Sequence, residues 1–220
     1  MKIVKIMKDN GIIYEVHKTT AKVVECENKN DKKLKIINIP SKVDGKPVTE
    51  IGNSAFEGCN FLSSVVIPDS VIKIGNSAFN YCELLASVVM PSSIIEIEEW
   101  TFACCTSLKS IAIPNSVTRI GEYAFFGCKS LMSVTIPDSV REIDGWAFAE
   151  CESLESVSIP CFIKISKEVG FDSIFASCKN INHVQFSQAL VDRPDADDIF
   201  NQLFKAGLRT REVLLRIPTL

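Results

Sequence analysis

Residues Leu62 to Cys82 read LSSVVIPDSVIKIGNSAFNYC. Val65 and Ile67 alternate with small or polar neighbours, which is the period of a half-buried strand. Pro68 ends that strand, because it has no N–H for another ladder bond. Val71 and Ile74 then point inward across a turn. Ala78, Phe79 and Cys82 fall at i, i+1 and i+4, which predicts a short helical or 3₁₀ turn with one apolar face. A single unit of this kind has too few apolar side chains to enclose a core. It needs neighbours that bury the same faces.

The neighbours are in the sequence. Aligning the pairs Ile67-Pro68, Met90-Pro91, Ile113-Pro114, Ile136-Pro137 and Ile159-Pro160 gives a constant step of 23 residues. The same shift superposes Phe56, Phe79, Phe102, Phe125 and Phe148, and also Leu62, Leu85, Leu108, Leu131 and Leu154. It carries Val65 onto Val88, Ile111, Val134 and Val157. Five successive matches in this many columns cannot be chance, and a fixed period of this size marks a stacked repeat.

The segments IPDSVIKIGNSAFNYC, IPNSVTRIGEYAFFGC and IPDSVREIDGWAFAEC resemble the BspA-like branch of the leucine-rich repeat superfamily. The usual leucine-rich signature continues with Asn or Cys after the strand. Here I-P-x-S takes that place. The resemblance spans about residues 36 to 186. It implies a β-rich α/β solenoid, a right-handed coil with one parallel strand and a short helical turn per 23-residue repeat. It also implies an interaction or adhesion protein, cell-surface or secreted, with a protein partner that is a host or extracellular protein. The family has no shared catalytic residue, so no catalytic, cofactor-binding or metal-binding residue is carried over.

Composition narrows the function classes. The 220 residues carry 24 Lys+Arg against 27 Asp+Glu, a net charge of −3. That balance is wrong for coating phosphates, so nucleic acid is not an expected partner. No apolar run approaches the roughly 20 residues of a membrane-spanning helix. The N-terminus, MKIVKIMKDN, meets Asp9 before an apolar core of a leader forms, which reads as an interior protein rather than a secreted one and pulls against the family's usual location. The nine cysteines include Cys59, Cys82, Cys105, Cys128 and Cys151 at the repeat spacing. They lack the close pairs of a zinc site, Cys104-Cys105 being poor chelating geometry. The reading is a column of small buried thiols, one per unit.

The chain divides into residues 1–47 as a β-strand cap, 48–186 as the solenoid and 187–220 as a helical C-terminal cap or tail. Asp9-Asn10-Gly11 signals a hairpin between strands at Ile3–Met7 and Ile12–Val16. A third strand runs Ala21–Cys26, a fourth Leu34–Ile39, and Asp44-Gly45 marks a turn. Asp195–Ala206 reads as a helix with Ile199, Phe200, Leu203 and Phe204 on one face.

Two columns qualify as binding surfaces. Alternation places Ser64, Ser87, Ser110, Ser133 and Ser156 on the solvent face of the sheet, with Val66, Val89, Ala112, Thr135 and Ser158 beside them. At about 4.8 Å per rung, seven rungs make a flat, small-sided face on the order of 30 Å long. A protein partner is expected there. The second column is Trp100, Tyr123 and Trp146 with Phe126 nearby. It would serve a carbohydrate-binding module, with a glycan as ligand, or else the rings simply pack on one another. His17 and His183, the only histidines, lie near opposite ends, and no phosphate loop or zinc-protease motif is present. The chain is therefore expected not to be an enzyme.

Overall fold

The computed structural model describes residues 2–27, 29, 32, 35–160, 163 and 173–186. The helix expected at Asp195–Ala206 lies outside them, as do most of residues 161–172, where the step from Phe148 to Phe175 is 27 residues rather than 23. Strands β1 (Ile3–Asp9), β2 (Ile12–His17) and β3 (Ala21–Cys26) form an antiparallel meander. Its first turn places Asn10 and Gly11 at φ 48° and 78°, the left-handed pair that an Asn-Gly hairpin requires. β3 then runs parallel to β6 (Lys46–Ile51), so the meander seals the first rung of the coil. β6 also pairs with β5 (Lys42–Val43) across Asp44-Gly45, at φ 52° and 71°.

From there the chain climbs rung by rung. The main sheet is built from β4 (Ile36–Asn38), β7 (Ser64–Val66), β9 (Ser87–Val89), β11 (Ser110–Ala112), β13 (Ser133–Thr135), β15 (Ser156–Ile159) and β16 (His183–Phe186). Between these lie two-residue strands after each proline turn: β8 (Lys73–Ile74), β10 (Glu96–Ile97), β12 (Arg119–Ile120) and β14 (Glu142–Ile143). All pairs within these ladders are parallel, as a coil of constant hand requires.

The expected helical turn is absent. Each Phe-centred segment is instead a run of tight turns, and its backbone angles explain why. The residues two before and two after the phenylalanine have positive φ: Ser77 and Tyr81, Trp100 and Cys104, Tyr123 and Gly127, Trp146 and Glu150, all between 55° and 66°. A left-handed residue at either side forbids a continuous right-handed helix. Alternate amides therefore turn outward. Ser77, Phe79 and Tyr81 donate to Glu99, Thr101 and Ala103 of the next rung at 2.9 Å, while Ala78, Asn80 and Cys82 bond within their own turn. From Phe56 to Phe148 each rung is thus two short strands and a bonded turn, and among the described residues helical backbone is confined to Ser173 and Ile174.

The phenylalanines form the axis of the core. Phe56, Phe79, Phe102, Phe125, Phe148 and Phe175 stack with centroids 5.1 to 5.7 Å apart and planes within 15°. The first five are fully buried, each contributing roughly 1.5–3 kcal/mol by burial alone. The cysteine column lies beside them for a stated reason. The thiols of Cys82, Cys105, Cys128, Cys151 and Cys178 donate to the carbonyls of Phe56, Phe79, Phe102, Phe125 and Phe148 at 3.0 to 3.3 Å. The carbonyls of Phe56, Phe79, Phe102 and Phe125 already accept an amide from their own turn, so the thiol fills a second lone pair in a site too small for a larger donor.

The ladders part at one level. β4-β7-β9 form one sheet and β11-β13-β15-β16 another; β8 joins β6, while β10-β12-β14 stand together. Both divisions fall between the same two rungs, where Met90, Ile94 and Glu98 replace the unit's Ile, Val and Gly. At the glycine place the fit is close: a Cβ on Gly75 would lie 2.7 Å from the Asn53 amide nitrogen, and one on Gly121 2.8 Å from that of Glu99. Glu98 brings a Cβ there. Asp144 does too, yet its amide still reaches the Ile120 carbonyl at 2.9 Å, so that Cβ alone does not part the ladders; at the same level Ile94 adds one methylene over valine and Met90 puts an unbranched side chain in place of isoleucine.

Candidate functional site

The strand alternation sorts side chains as the sequence suggests. In register down the sheet lie Ile36, Ser64 and Ser87, then Ser110, Ser133, Ser156 and His183. The second column runs Asn38, Val66, Val89, then Ala112, Thr135, Ser158 and Gln185. Val65, Ile111, Val134 and Val157, between the columns, are buried. The outward side chains are exposed or half-buried, Val89 at 53% being more open than Val66. His183 occupies a serine place on the ladder, and His17 lies in the capping meander beside Glu15. The face therefore offers small hydroxyl and methyl groups on a straight, closely spaced lattice, interrupted at the level where the sheets part.

The aromatic column is also real, and it packs on itself. Trp100 and Tyr123 stack at 4.1 Å, and Tyr123 and Trp146 at 5.5 Å. Phe126 closes one side, edge-on to Tyr123 at 5.6 Å and tilted to Trp100 at 6.0 Å. Trp146 remains 40% exposed. All three stacked residues have φ of 55° to 57°. The sequence put the rings on one line but gave no sign of the left-handed backbone that holds them there. Only Gly58 and Gly127, at the equivalent place two residues past the phenylalanine, hint at it.

Most of the repeat thiols are shielded and raised; Cys178, half-buried, is the exception, lowered first by its hydrogen bond with Cys151. Burial pushes Cys82 up to about 12, and burial is also the leading cause that raises Cys105 and Cys128. Cys59 is raised first by its hydrogen bond with Cys26 and then by burial. These groups are protonated at neutral pH and act as donors in the core. Among the described residues no helix is long and apolar enough to cross a membrane.

This scaffold is that of leucine-rich repeat proteins. Residues 102–194 match the family described as BspA type leucine rich repeat region (6 copies). A leucine rich repeat protein of T. pallidum is 28% identical with a TM-score of 0.73, over 95% of this chain and 99% of its own. A leucine rich cell surface protein of Faecalibacterium prausnitzii is 32% identical with a TM-score of 0.64, over 77% of this chain and 42% of its own. A Bacteroides ovatus leucine-rich repeat protein is 29% identical with a TM-score of 0.70, over 82% of this chain and 49% of its own. The chain thus spans less than half the length of the latter two. No curated protein matches it. The repeat array belongs to the BspA-type leucine-rich repeat family.

Proposed function

We propose that the chain is a non-enzymatic interaction module that holds a protein partner across the exposed face of its parallel sheet. The observation that carries this reading is the pair of in-register serine runs, Ser64 with Ser87 and Ser110 with Ser133 and Ser156, which leave an extended, small-sided surface free of bulky charge. A partner backbone can approach such a face closely over several rungs, and contact spread over rungs suits a repeat whose patches are alike. Residues 1–47 serve as the cap and 48–186 as the working array. One relative is a cell surface protein. On that precedent we place the partner outside the cell, with adhesion as the role.

The test uses a photo-crosslinking side chain at Ser110 or Thr135, with a control at exposed Arg141 off the sheet face. Adducts from the sheet positions alone, lost on Ser110→Arg with the melting temperature unchanged, are the expected result. Equal adducts from Arg141 would remove the reading. The carbohydrate alternative rested on open aromatic faces. Tyr123 has a ring stacked on each side, so its faces do not form a sugar platform.

A further inference from the structure

The aromatic column has a chemistry of its own, set by what surrounds it. Glu99 and Glu122 immediately precede Trp100 and Tyr123. Glu96 and Glu142 flank Arg119 on the paired strands β10, β12 and β14. Asp144 lies two residues before Trp146, and Glu150 takes the second left-handed place in the same turn. The local cations are already engaged: Arg119 pairs with Glu96 and with Asp144, and Lys73 pairs with Glu98 at 3.7 Å. Burial pushes the Asp144 carboxyl up, Arg119 pulls it down, and Glu142 and Glu99 push it up again, so these carboxylates share one field. Glu122, Glu142 and Glu150 have no ion-pair partner among the described residues. The strip is therefore apolar along its centre and negative along its flanks.

The coil does not require the rings. Ser54 and Ser77 hold the same place in earlier rungs with φ of 54° and 57°. A bulky side chain in that conformation is an outlier. The rings are thus additions to a turn that serine completes equally well. Stacking covers both faces of Tyr123 and turns ring edges outward, while Trp146 keeps exposed surface.

We propose that this strip docks an arginine- and lysine-rich segment of a partner protein. The carboxylates take the cationic heads. The ring edges take the aliphatic stems. The exposed surface of Trp146 receives a guanidinium. This site is separate from the sheet face and does not depend on it.

The chain has two tryptophans, Trp100 and Trp146, and both lie in the strip, so intrinsic emission reports the site directly. The experiment titrates the full chain at low salt with a labelled oligo-arginine peptide, and in parallel with a Ser/Gly peptide of equal length. Anisotropy and tryptophan emission are read together. The expected result is saturable binding of the arginine peptide only, with a matching change in emission. Trp100→Ser with Trp146→Ser should weaken it about tenfold, the exposed Trp146 and the half-buried Trp100 being worth roughly two- to fivefold each. Glu122→Gln with Glu142→Gln should also weaken it and flatten its salt dependence. Ser110→Arg should bind as the parent does, which separates this site from the sheet face. No binding at low salt overturns the proposal. So does saturation without a change in emission, or full binding by the glutamine variant. Full binding by a folded serine variant would show attraction by charge alone and overturns it as well.

Discussion

Replacing Phe102 by alanine tests the coil at its most informative point. The ring is fully buried between Phe79 at 5.4 Å and Phe125 at 5.6 Å. Truncation removes the transfer energy of the ring and leaves a cavity, together about 3–5 kcal/mol. Stacking on both sides is lost as well, at about 0.5–1.5 kcal/mol per pair, which places the loss in the upper part of that range. The location adds a second effect. Phe102 belongs to the rung where both strand ladders part, so the Phe79–Phe102 stack joins the turn bonds from Ser77, Phe79 and Tyr81, the Cys105 thiol on the Phe79 carbonyl and the Ser107 amide and Thr106 hydroxyl on the Glu83 carbonyl in carrying that junction. Phe125→Ala removes an equally buried ring at a level where the ladders continue. Urea unfolding of both variants should show similar losses in midpoint. Only Phe102→Ala should also lower the slope or divide the transition, as two blocks uncouple. A loss below about 1 kcal/mol, the scale of a surface change, would refute the stacked core. Equal slopes in the two variants would refute the weak junction.

Three further outcomes are expected. In the native protein at pH 8, Cys82, Cys105, Cys128 and Cys151 should resist iodoacetamide and become reactive on unfolding, because their thiols are raised and buried; mass mapping that finds any of them alkylated in the folded state contradicts this. Asp69 accepts bonds from the Ser92 amide at 2.7 Å and hydroxyl at 3.0 Å, which lower its carboxyl. Its stabilisation is complete above the ordinary aspartate value of about 3.9 and is lost as pH falls through the lowered one. Asp69→Asn should therefore be less stable than the parent at neutral pH and converge with it in acid, and parallel pH–stability curves would exclude the linkage. Gly121→Ala would put a Cβ 2.8 Å from the Glu99 amide nitrogen and should cost about 1–3 kcal/mol in thermal or urea unfolding, where a change under about 0.5 kcal/mol would deny the close approach.

The unit was legible because side-chain period and punctuation are written residue by residue. Val65 and Ile67 alternate, Pro68 stops the ladder, and the step of 23 residues brings like onto like. The sheet-face columns follow from that alternation alone. The turn was misread because Ala78, Phe79 and Cys82 share one face in a helix and in an alternating turn alike. What separates the two is the sign of φ at Ser77 and Tyr81, and neither residue type announces it. Strands such as Lys73–Ile74 are two residues long, too short to display a period. The level where the ladders part is marked only by the unbranched Met90, the one extra methylene of Ile94 and the Cβ of Glu98, differences that look like ordinary variation in a repeat.

The direction of the hydrogen bonds sets how such a chain can change in length. Turn amides donate forward to the following rung, and thiols donate back to the preceding one. Excision of residues 114–136 would therefore bring the Phe102 amide against the Ala147 carbonyl and the Cys151 thiol against the Phe102 carbonyl, each atom meeting the equivalent of its former partner. Excision of another number from within the strands or turns would put the two halves out of phase and strand those donors. Between strands the count is freer, since Phe148 and Phe175 still stack at 5.7 Å across a step of 27 residues, so a gene encoding this coil changes its reach in whole rungs of about 4.8 Å while other insertions are taken up in loops.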